Sequence, residues 1–451
     1  MKNYSEFLHS KNRIYDDSVS DIKADINPKL FDFQRHMVEW ALQKKKAAFF
    51  ADCGMGKTFM QLEWAKNIPG KVLIVAPLAV AQQTAREAIK LDLPVEFSRH
   101  QTASDIIVTN YEMLEKFDCS IYKGVVLDES SILKAFTGKT KQMLVDSFKD
   151  TPYRLACTAT PAPNDHMEIG NHAEFLGIMK FNEMLSRWFI NDTANTGKWR
   201  LKGHAVKPFW QWVASWAKAC RQPSDLGPYS DEGYTLPELS INKTIVDRAE
   251  STPEDGWLFD IPTNSATDLH KEKRKTITER VEVAAKIVNE SKEQFLVWCE
   301  SNAESAALKK AIPDAVEVKG SDPIHHKERA LLGFADGTHR VLVSKPSICG
   351  FGMNFQSCHN MIFASISYSY EDFYQAVRRS YRFGQKQIVN VTVIISETET
   401  NVWNTIYSKM RKHESMVTNM RAEILKHNEI KGLKKYEPTK TERLPQWILT
   451  A

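Results

Sequence analysis

"KAAFFADCGMGKT", residues 46 to 58, decides how this chain is read. A short apolar run, Ala47 to Ala51, passes into two glycines, a lysine and a threonine, and a helical pattern follows. Buried strand, glycine-rich turn and helix start, in that order, make a cradle for phosphate. Gly54 and Gly56 let the main chain approach the anion, with Met55 between them. Lys57 would neutralise charge on β- and γ-phosphates, and the Thr58 hydroxyl would ligate Mg2+. One departure from the usual pattern is Ala51, where a glycine normally opens the loop.

Outward from this stretch the same rhythm repeats. The runs "KVLIVAPLA", "SDIIVTNYE", "GVVLDES" and "YRLACTATP" each end in polar punctuation, with helical patterns between them. Strands so apolar, alternating with helices, indicate a parallel sheet covered on both faces. The rhythm stops near residue 170 and resumes after 270 with "QFLVWCES", "DAVEVKG", "RVLVSKP", "NMIFASIS" and "IVNVTVII". The reading is therefore an α/β protein of two tandem parallel-sheet lobes, residues 1–170 and 271–400. An aromatic-rich helical insertion and linker, 171–270, separates them, and a closing helix with a basic tail, 401–451, ends the chain.

Composition excludes several classes. The chain has 451 residues, 42% hydrophobic and 26% charged, the proportions of a soluble globular protein long enough for two or three domains. A net charge of +4 carries no signature of a nucleic-acid partner, so any basic surface is local. Seven scattered cysteines with no C-x-x-C pair argue against structural zinc and a disulfide framework, and favour a reducing, cytoplasmic setting. No apolar run is long enough to span a membrane.

Further motifs add chemistry. In "VVLDES", 125–130, a buried strand runs into Asp128, which would hold Mg2+, and Glu129, which would orient and deprotonate an attacking water; the alternative is a strand ending in surface acids. In "LFDFQRHMVEWAL", Gln34 is placed either to pair with an adenine edge or as an exposed glutamine on a core helix. "CTATPAPND", 157–165, offers Thr158 and Thr160 as a hydrogen-bonded link between the nucleotide and the other lobe, or is a simple strand-ending turn. "YQAVRRSYRFGQ", 374–385, gathers Arg378, Arg379 and Arg382, and helical spacing puts Gln375, Arg379 and Arg382 on one face. Five tryptophans fall between Trp188 and Trp216. They read as the core of a helical protrusion or as a stacking platform for bases, where Trp199, Arg200, Lys202 and Lys207 would meet nucleic acid.

The order of these motifs resembles superfamily II helicases and translocases. Gln34, the GMGKT loop, "VAPLAV" (75–80), "VTNYE" (108–112), DES, TATP, "FLVWCESN" (295–302), "CGFGMNF" (349–355) and "QAVRRSYRFGQ" (375–385) carry it across roughly residues 30–395. Within that superfamily the chain resembles the Swi/Snf-type DNA translocases, compact bacterial or phage forms especially. The R-x-G-Q ending at Arg382, Gly384 and Gln385, Lys134 after the acidic motif, and the glycine-rich stretch with Gly352 and Asn354 all point there. The acidic motif is DESS instead of DEAH or DEGH, and Arg378 stands where remodellers usually carry an acid.

The resemblance implies two RecA-like lobes and an ATP- and Mg2+-dependent motor. Gln375 would contribute to the ATP site, and Arg379 and Arg382 would stabilise the transferred γ-phosphoryl group. Gly352 and Asn354 would join Thr158 and Thr160 in coupling between lobes. The implied partner is nucleic acid, duplex DNA favoured, acted on by a monomer, with a loading or accessory protein left open. Two alternatives stand beside this expectation: a strand-separating DNA or RNA helicase, and a clamp that binds nucleic acid without hydrolysis.

Overall fold

The computed structural model describes residues 20–134, 138–191, 199–246, 273–349 and 354–428. The chain divides into two compact units, residues 1–231 with 413–451, and residues 232–412.

The first unit opens with α1 (Asp32–Lys44), β1 (Lys46–Ala51), α2 (Lys57–Lys66), β2 (Val72–Ala76), α3 (Leu78–Lys90), β3 (Val95–Phe97), β4 (Ile106–Asn110) and β5 (Gly124–Asp128). It continues through α4 (Lys139–Ser147), β6 (Tyr153–Cys157), α5 (Ile169–Leu176), α6 (Phe181–Trp188), β7 (Phe189–Asn191), β8 (Trp199–Leu201), α7 (Val206–Trp216) and β9 (Ala217–Cys220). Seven of these strands form one parallel sheet in the order β3-β4-β2-β5-β6-β1-β9. Its central strands are apolar on both sides because helices cover both faces, and β2, β4 and β5 are buried at every residue. The small β7–β8 pair is antiparallel and stands apart from this sheet.

The second unit contains β10 (Leu239–Val246), α8 (Ile277–Asn289), β11 (Phe295–Trp298), α9 (Asn302–Ala311), β12 (Ala315–Val318) and α10 (Ile324–Ala335). β13 (Val341–Ser344), α11 (Pro346–Cys349), β14 (Asn360–Phe363), α12 (Tyr370–Val377), β15 (Val389–Ser396) and the start of α13 (Thr400–Asn428) follow. Six parallel strands run in the order β10-β15-β14-β11-β13-β12. A buried ion pair ties this sheet to its helices. Arg280 on α8 meets Glu399 and donates to the main-chain oxygens of Ala364 (3.1 Å) and Ile394 (2.8 Å).

Two α/β lobes with parallel sheets are thus present, and a helical segment lies between them in sequence. The segment expected as an aromatic-rich helical insertion and linker, 171–270, is shared between the two units, which divide after Asp231. The aromatic faces of α5, α6 and α7 lie on the first sheet and complete its core. Trp188, Trp210, Trp212 and Trp216 are all buried; Trp212 lies 4.6 Å from Trp188 and 5.3 Å from Trp216, centroid to centroid. Four large rings on amphipathic helices bury more surface against a sheet than a small protrusion could offer. The chain then runs straight from α7 into β9, which pairs with β1. At the other end of the range, β10 joins the second sheet along β15.

A second difference concerns the arginines. α12 ends at Val377, with Arg378 as its C-terminal cap, so Arg379 and Arg382 sit in the turns beyond the helix. Gln375, Arg379 and Arg382 therefore do not share a helix face. Gly352 and most of the tail lie outside the described residues. Among the described residues no helix is long and apolar enough to cross a membrane.

Candidate functional site

β5, β6 and β1 are adjacent and parallel, so the loops leaving their carboxyl ends are neighbours. The loop after β1 turns through Gly54 at φ +91° and Gly56 at φ +78°. Both values are left-handed, where a Cβ is strained. A Cβ on Gly56 would also stand 2.3 Å from Gln34 Nε2. Gln34 is buried against the loop; its Nε2 donates to Met55 O at 3.0 Å and its Oε1 accepts the Phe31 N–H at 3.0 Å. The glutamine therefore clamps the phosphate loop from α1. Lys57 opens α2, and its Nζ donates to the main-chain oxygens of Ala51 (2.9 Å) and Asp52 (3.3 Å). Ammonium and helix-start amides together present positive charge at one spot.

The carboxylates stand at the end of β5. Asp128 is buried, and its Oδ1 accepts from Gln61 Nε2 at 2.7 Å and from the Glu129 N–H at 3.1 Å. Burial raises its pKa above the usual carboxylate value; the Gln61 bond, the Lys57 charge and the Glu129 amide oppose that rise. Glu129 takes φ +50°, and its Oε2 accepts from Thr158 Oγ1 at 3.3 Å. Thr158 Oγ1 in turn accepts the Thr160 N–H at 3.1 Å. Thr158 and Thr160 are both fully buried, so the loop after β6 is closed against the carboxylates. Among the described residues no three His, Cys, Asp or Glu side chains gather as a metal cage. A single carboxylate at the end of β5 and a hydroxyl, Thr58, in the first turn of α2 are donor types that suit Mg2+, which keeps waters and substrate phosphates as its other ligands.

In the second unit the arginines differ sharply from one another. Arg378 is buried; it donates to Tyr381 O at 2.9 Å and lies over the rings of Tyr374 (5.3 Å) and Tyr381 (5.0 Å). Burial, with Arg382 nearby, lowers its pKa to about 10. Arg379 folds back on Gln375, with Nε 3.2 Å from its carbonyl and a terminal nitrogen 3.1 Å from its Oε1. Arg382 is half-buried in the turn that follows. Asn354 is exposed and its Oδ1 accepts the Gln356 N–H at 3.2 Å.

Of the residues proposed for nucleic acid, Trp199 is half-buried and packs against the first core. Lys202 Nζ donates to Ser186 O and Arg187 O, both at 3.0 Å, closing the end of α6. Arg200 and Lys207 are exposed.

Three residues at these sites escaped the sequence reading of roles. Gln61 is one; the signal was its position one turn past Lys57, on the same side of α2. Tyr111 is another, buried in the turn after β4 with its hydroxyl 2.6 Å from Asp128 O. Gln385 is the third: its Nε2 donates to Gln356 O (3.0 Å), Cys358 O (3.4 Å) and Ser380 O (3.3 Å), and its Oε1 accepts the N–H groups of Lys386 and Gln387.

Among solved structures the chain is similar to the Sulfolobus solfataricus SWI2/SNF2 ATPase core in complex with dsDNA. Identity is 16%, the match covers 87% of this chain and 97% of that one, and the TM-score is 0.42. The SNF2-related domain family matches residues 33–204, which hold the phosphate loop, the carboxylates and the threonines. The helicase conserved C-terminal domain family matches residues 278–384, ending within the arginine turn. With the one domain on the first sheet and the other on the second, the chain belongs to the Swi/Snf-type helicases and translocases of superfamily II.

Proposed function

We propose that the protein is a Mg2+-dependent, nucleic-acid-stimulated ATPase that uses hydrolysis to move along DNA, duplex DNA in preference to other forms. One observation carries this reading: the Gln34-clamped phosphate loop after β1 and the Asp128–Glu129 pair after β5 stand at the carboxyl edge of one parallel sheet, on either side of β6 and its Thr158–Thr160 loop. Gly54, Met55, Gly56 and Lys57 would hold the phosphates by main-chain amides and charge, with Gln34 fixing the loop's shape. Asp128 and Thr58 would hold Mg2+, which when bound offsets charge on the β- and γ-phosphates. Glu129, steadied by Thr158, would take the proton of the attacking water. Arg379 and Arg382 would stabilise charge developing on the γ-phosphoryl group, and Gln375 keeps Arg379 in place for that task.

Membership of a family of DNA-translocating ATPases supports DNA as the track. The R-x-G-Q ending and Lys134 support a duplex. Burial of Trp188, Trp210, Trp212 and Trp216 takes those rings out of contention as a strand-splitting wedge.

The test is steady-state ATPase activity alone and with single-stranded DNA, blunt duplex DNA, single-stranded RNA and duplex RNA, with Glu129→Gln as the blank. Strong stimulation by blunt duplex DNA is expected. Stimulation by single strands or RNA alone would move the protein to strand separation, and no turnover with any of them would favour a silent clamp.

A further inference from the structure

Among the described residues three that are not glycine take a positive φ: Lys45 at +60°, Asp92 at +57° and Glu129 at +50°. Two have a local cause. Lys45 caps the C-terminus of α1, and Asp92 follows directly on the cap of α3, positions where helices commonly turn left-handed. Glu129 has no helix before it. It leaves a fully buried strand, and its long side chain draws no relief from the left-handed region. A backbone outlier of this kind persists only where its surroundings over-determine it.

The surroundings are specific. The peptide between Asp128 and Glu129 is anchored at both polar ends. Its N–H donates to Asp128 Oδ1 at 3.1 Å, and its C=O accepts from Tyr111 Oη at 2.6 Å. The orientation of that peptide plane sets φ of Glu129. Asp128 Oδ1 is itself held by Gln61 Nε2 at 2.7 Å. The ring of Tyr111 is locked in the first core among Leu114, Leu127 and their neighbours, so the hydroxyl is a fixed donor.

We infer that Tyr111 is a positioning residue for hydrolysis: its hydroxyl on the Asp128 carbonyl turns the Asp128–Glu129 peptide so that Glu129 enters the left-handed region and its carboxylate meets Thr158. This rests on the reading of Glu129 as the residue that takes the proton of the attacking water. Tyr111 acts through Glu129 and touches neither nucleotide nor water. The consequence is a split between binding and turnover. The phosphate loop hangs on Gln34 and α2, so nucleotide affinity is independent of Tyr111, whereas the position of the Glu129 carboxylate is not.

The experiment uses the full chain with Tyr111→Phe, which keeps the ring and removes the hydroxyl. Turnover should fall about 10- to 100-fold, the usual penalty for a misplaced catalytic group, while the affinity for a non-hydrolysable ATP analogue stays within about twofold. Amide hydrogen exchange at Glu129 should accelerate while Val125 to Leu127 remain as slow as before. Tyr122→Phe serves as the control, because it removes a hydroxyl from the same core that bonds Gln101 Nε2 at 2.9 Å and leaves the Asp128 carbonyl anchored, and Glu129 should then exchange as in the parent. Unchanged turnover in Tyr111→Phe, equal acceleration in both variants, or a Tyr111→Phe chain that does not fold would each overturn the assignment. Glu129→Gln is measured alongside. If that variant hydrolyses ATP normally, the reading of Glu129 fails; if it is inactive while Tyr111→Phe is unimpaired, only the role of Tyr111 falls.

Discussion

The two charged features of this molecule solve opposite problems by opposite means. The phosphate loop of the first unit is built from main chain: two left-handed glycines, helix-start amides, and a lysine held on its own loop's carbonyls. The arginine turn of the second unit is built from side chains, and other side chains hold it. Gln375 steadies Arg379, the rings of Tyr374 and Tyr381 pack on Arg378, and Gln385 ties the turn to three carbonyls. A main-chain cradle fails when a Cβ intrudes. A side-chain turn fails when a tether is cut. The two should therefore break differently: damage to the loop shows in nucleotide affinity, and damage to the turn shows in turnover.

The largest effect expected is at Arg382. Arg382→Ala should cut turnover on the order of 10³-fold with ATP affinity nearly unchanged, as loss of an arginine finger does elsewhere. A stopped-flow binding measurement beside the steady-state rate checks the split, and a wild-type rate would reduce the turn to a basic surface. Gly56→Ala attacks the loop instead. The left-handed φ costs about 1–2 kcal/mol with a Cβ present, and the clash with Gln34 comes on top. ATP affinity should fall about tenfold or more by calorimetry, in step with a lower melting temperature. Gln385→Ala should cost about 1–3 kcal/mol by leaving buried carbonyls without their donor, read as a shifted denaturant midpoint, with turnover reduced and affinity kept. If Gln385→Ala weakened ATP binding as much as Gly56→Ala does, the contrast between the two features would collapse.

The smallest effect is the pH dependence contributed by two histidines of the first unit. His172 is fully buried between α5 and the loop after β6, where it bonds Pro161 O at 2.9 Å, and burial lowers its pKa to about 4. His36 is lowered to about 4 as well, by burial and by the Lys218 ammonium. Above pH 6.5 neither state binds the proton. Between pH 6.5 and 4 the unfolded chain binds it and the folded one does not, so stability falls as pH falls through that window. Thermal melts from pH 7 to 4 should show the slope, and His172→Gln should flatten part of it. An unchanged slope in that variant would assign the acid sensitivity to other groups.

The turn after β1 was legible in sequence because everything it needs is contiguous: strand, glycines, lysine and helix follow one another along the chain. Asp128 and Glu129 were legible for the same reason, at the end of an apolar run. The two sheets could be read from their hydrophobic central strands. Of the edge strands, β12 was read as "DAVEVKG", but β3, β9 and β10 were not. β9 is only four residues, one of them Lys218, and β10 mixes polar residues with apolar ones because its outer side faces solvent. The arginine turn was misread as one helix face because its periodicity continues past Val377, while the tethers that stop the helix, Gln385 and the Phe355–Arg379 main-chain bond, come from elsewhere. Gln61 and Tyr111 were missed because their partner lies far away in sequence and next to them only in the fold.

The pairing of β9 with β1 bears on how this protein can be taken apart. The SNF2-related match stops at residue 204, before α7 and β9 begin. A fragment ended there would lack Ala217 to Cys220 opposite Ala48 to Ala51, leaving a row of main-chain donors and acceptors open beside Phe49 and Phe50. It would also lose Trp210, Trp212 and Trp216 from the core, together with Met416 and Met420 supplied by the far end of the chain. An open, flat, apolar strand is a template for pairing with another copy. A soluble version of the first lobe therefore has to run to Asp231 and be joined to the segment from His413 onward, and one cut at the boundary of sequence similarity should precipitate.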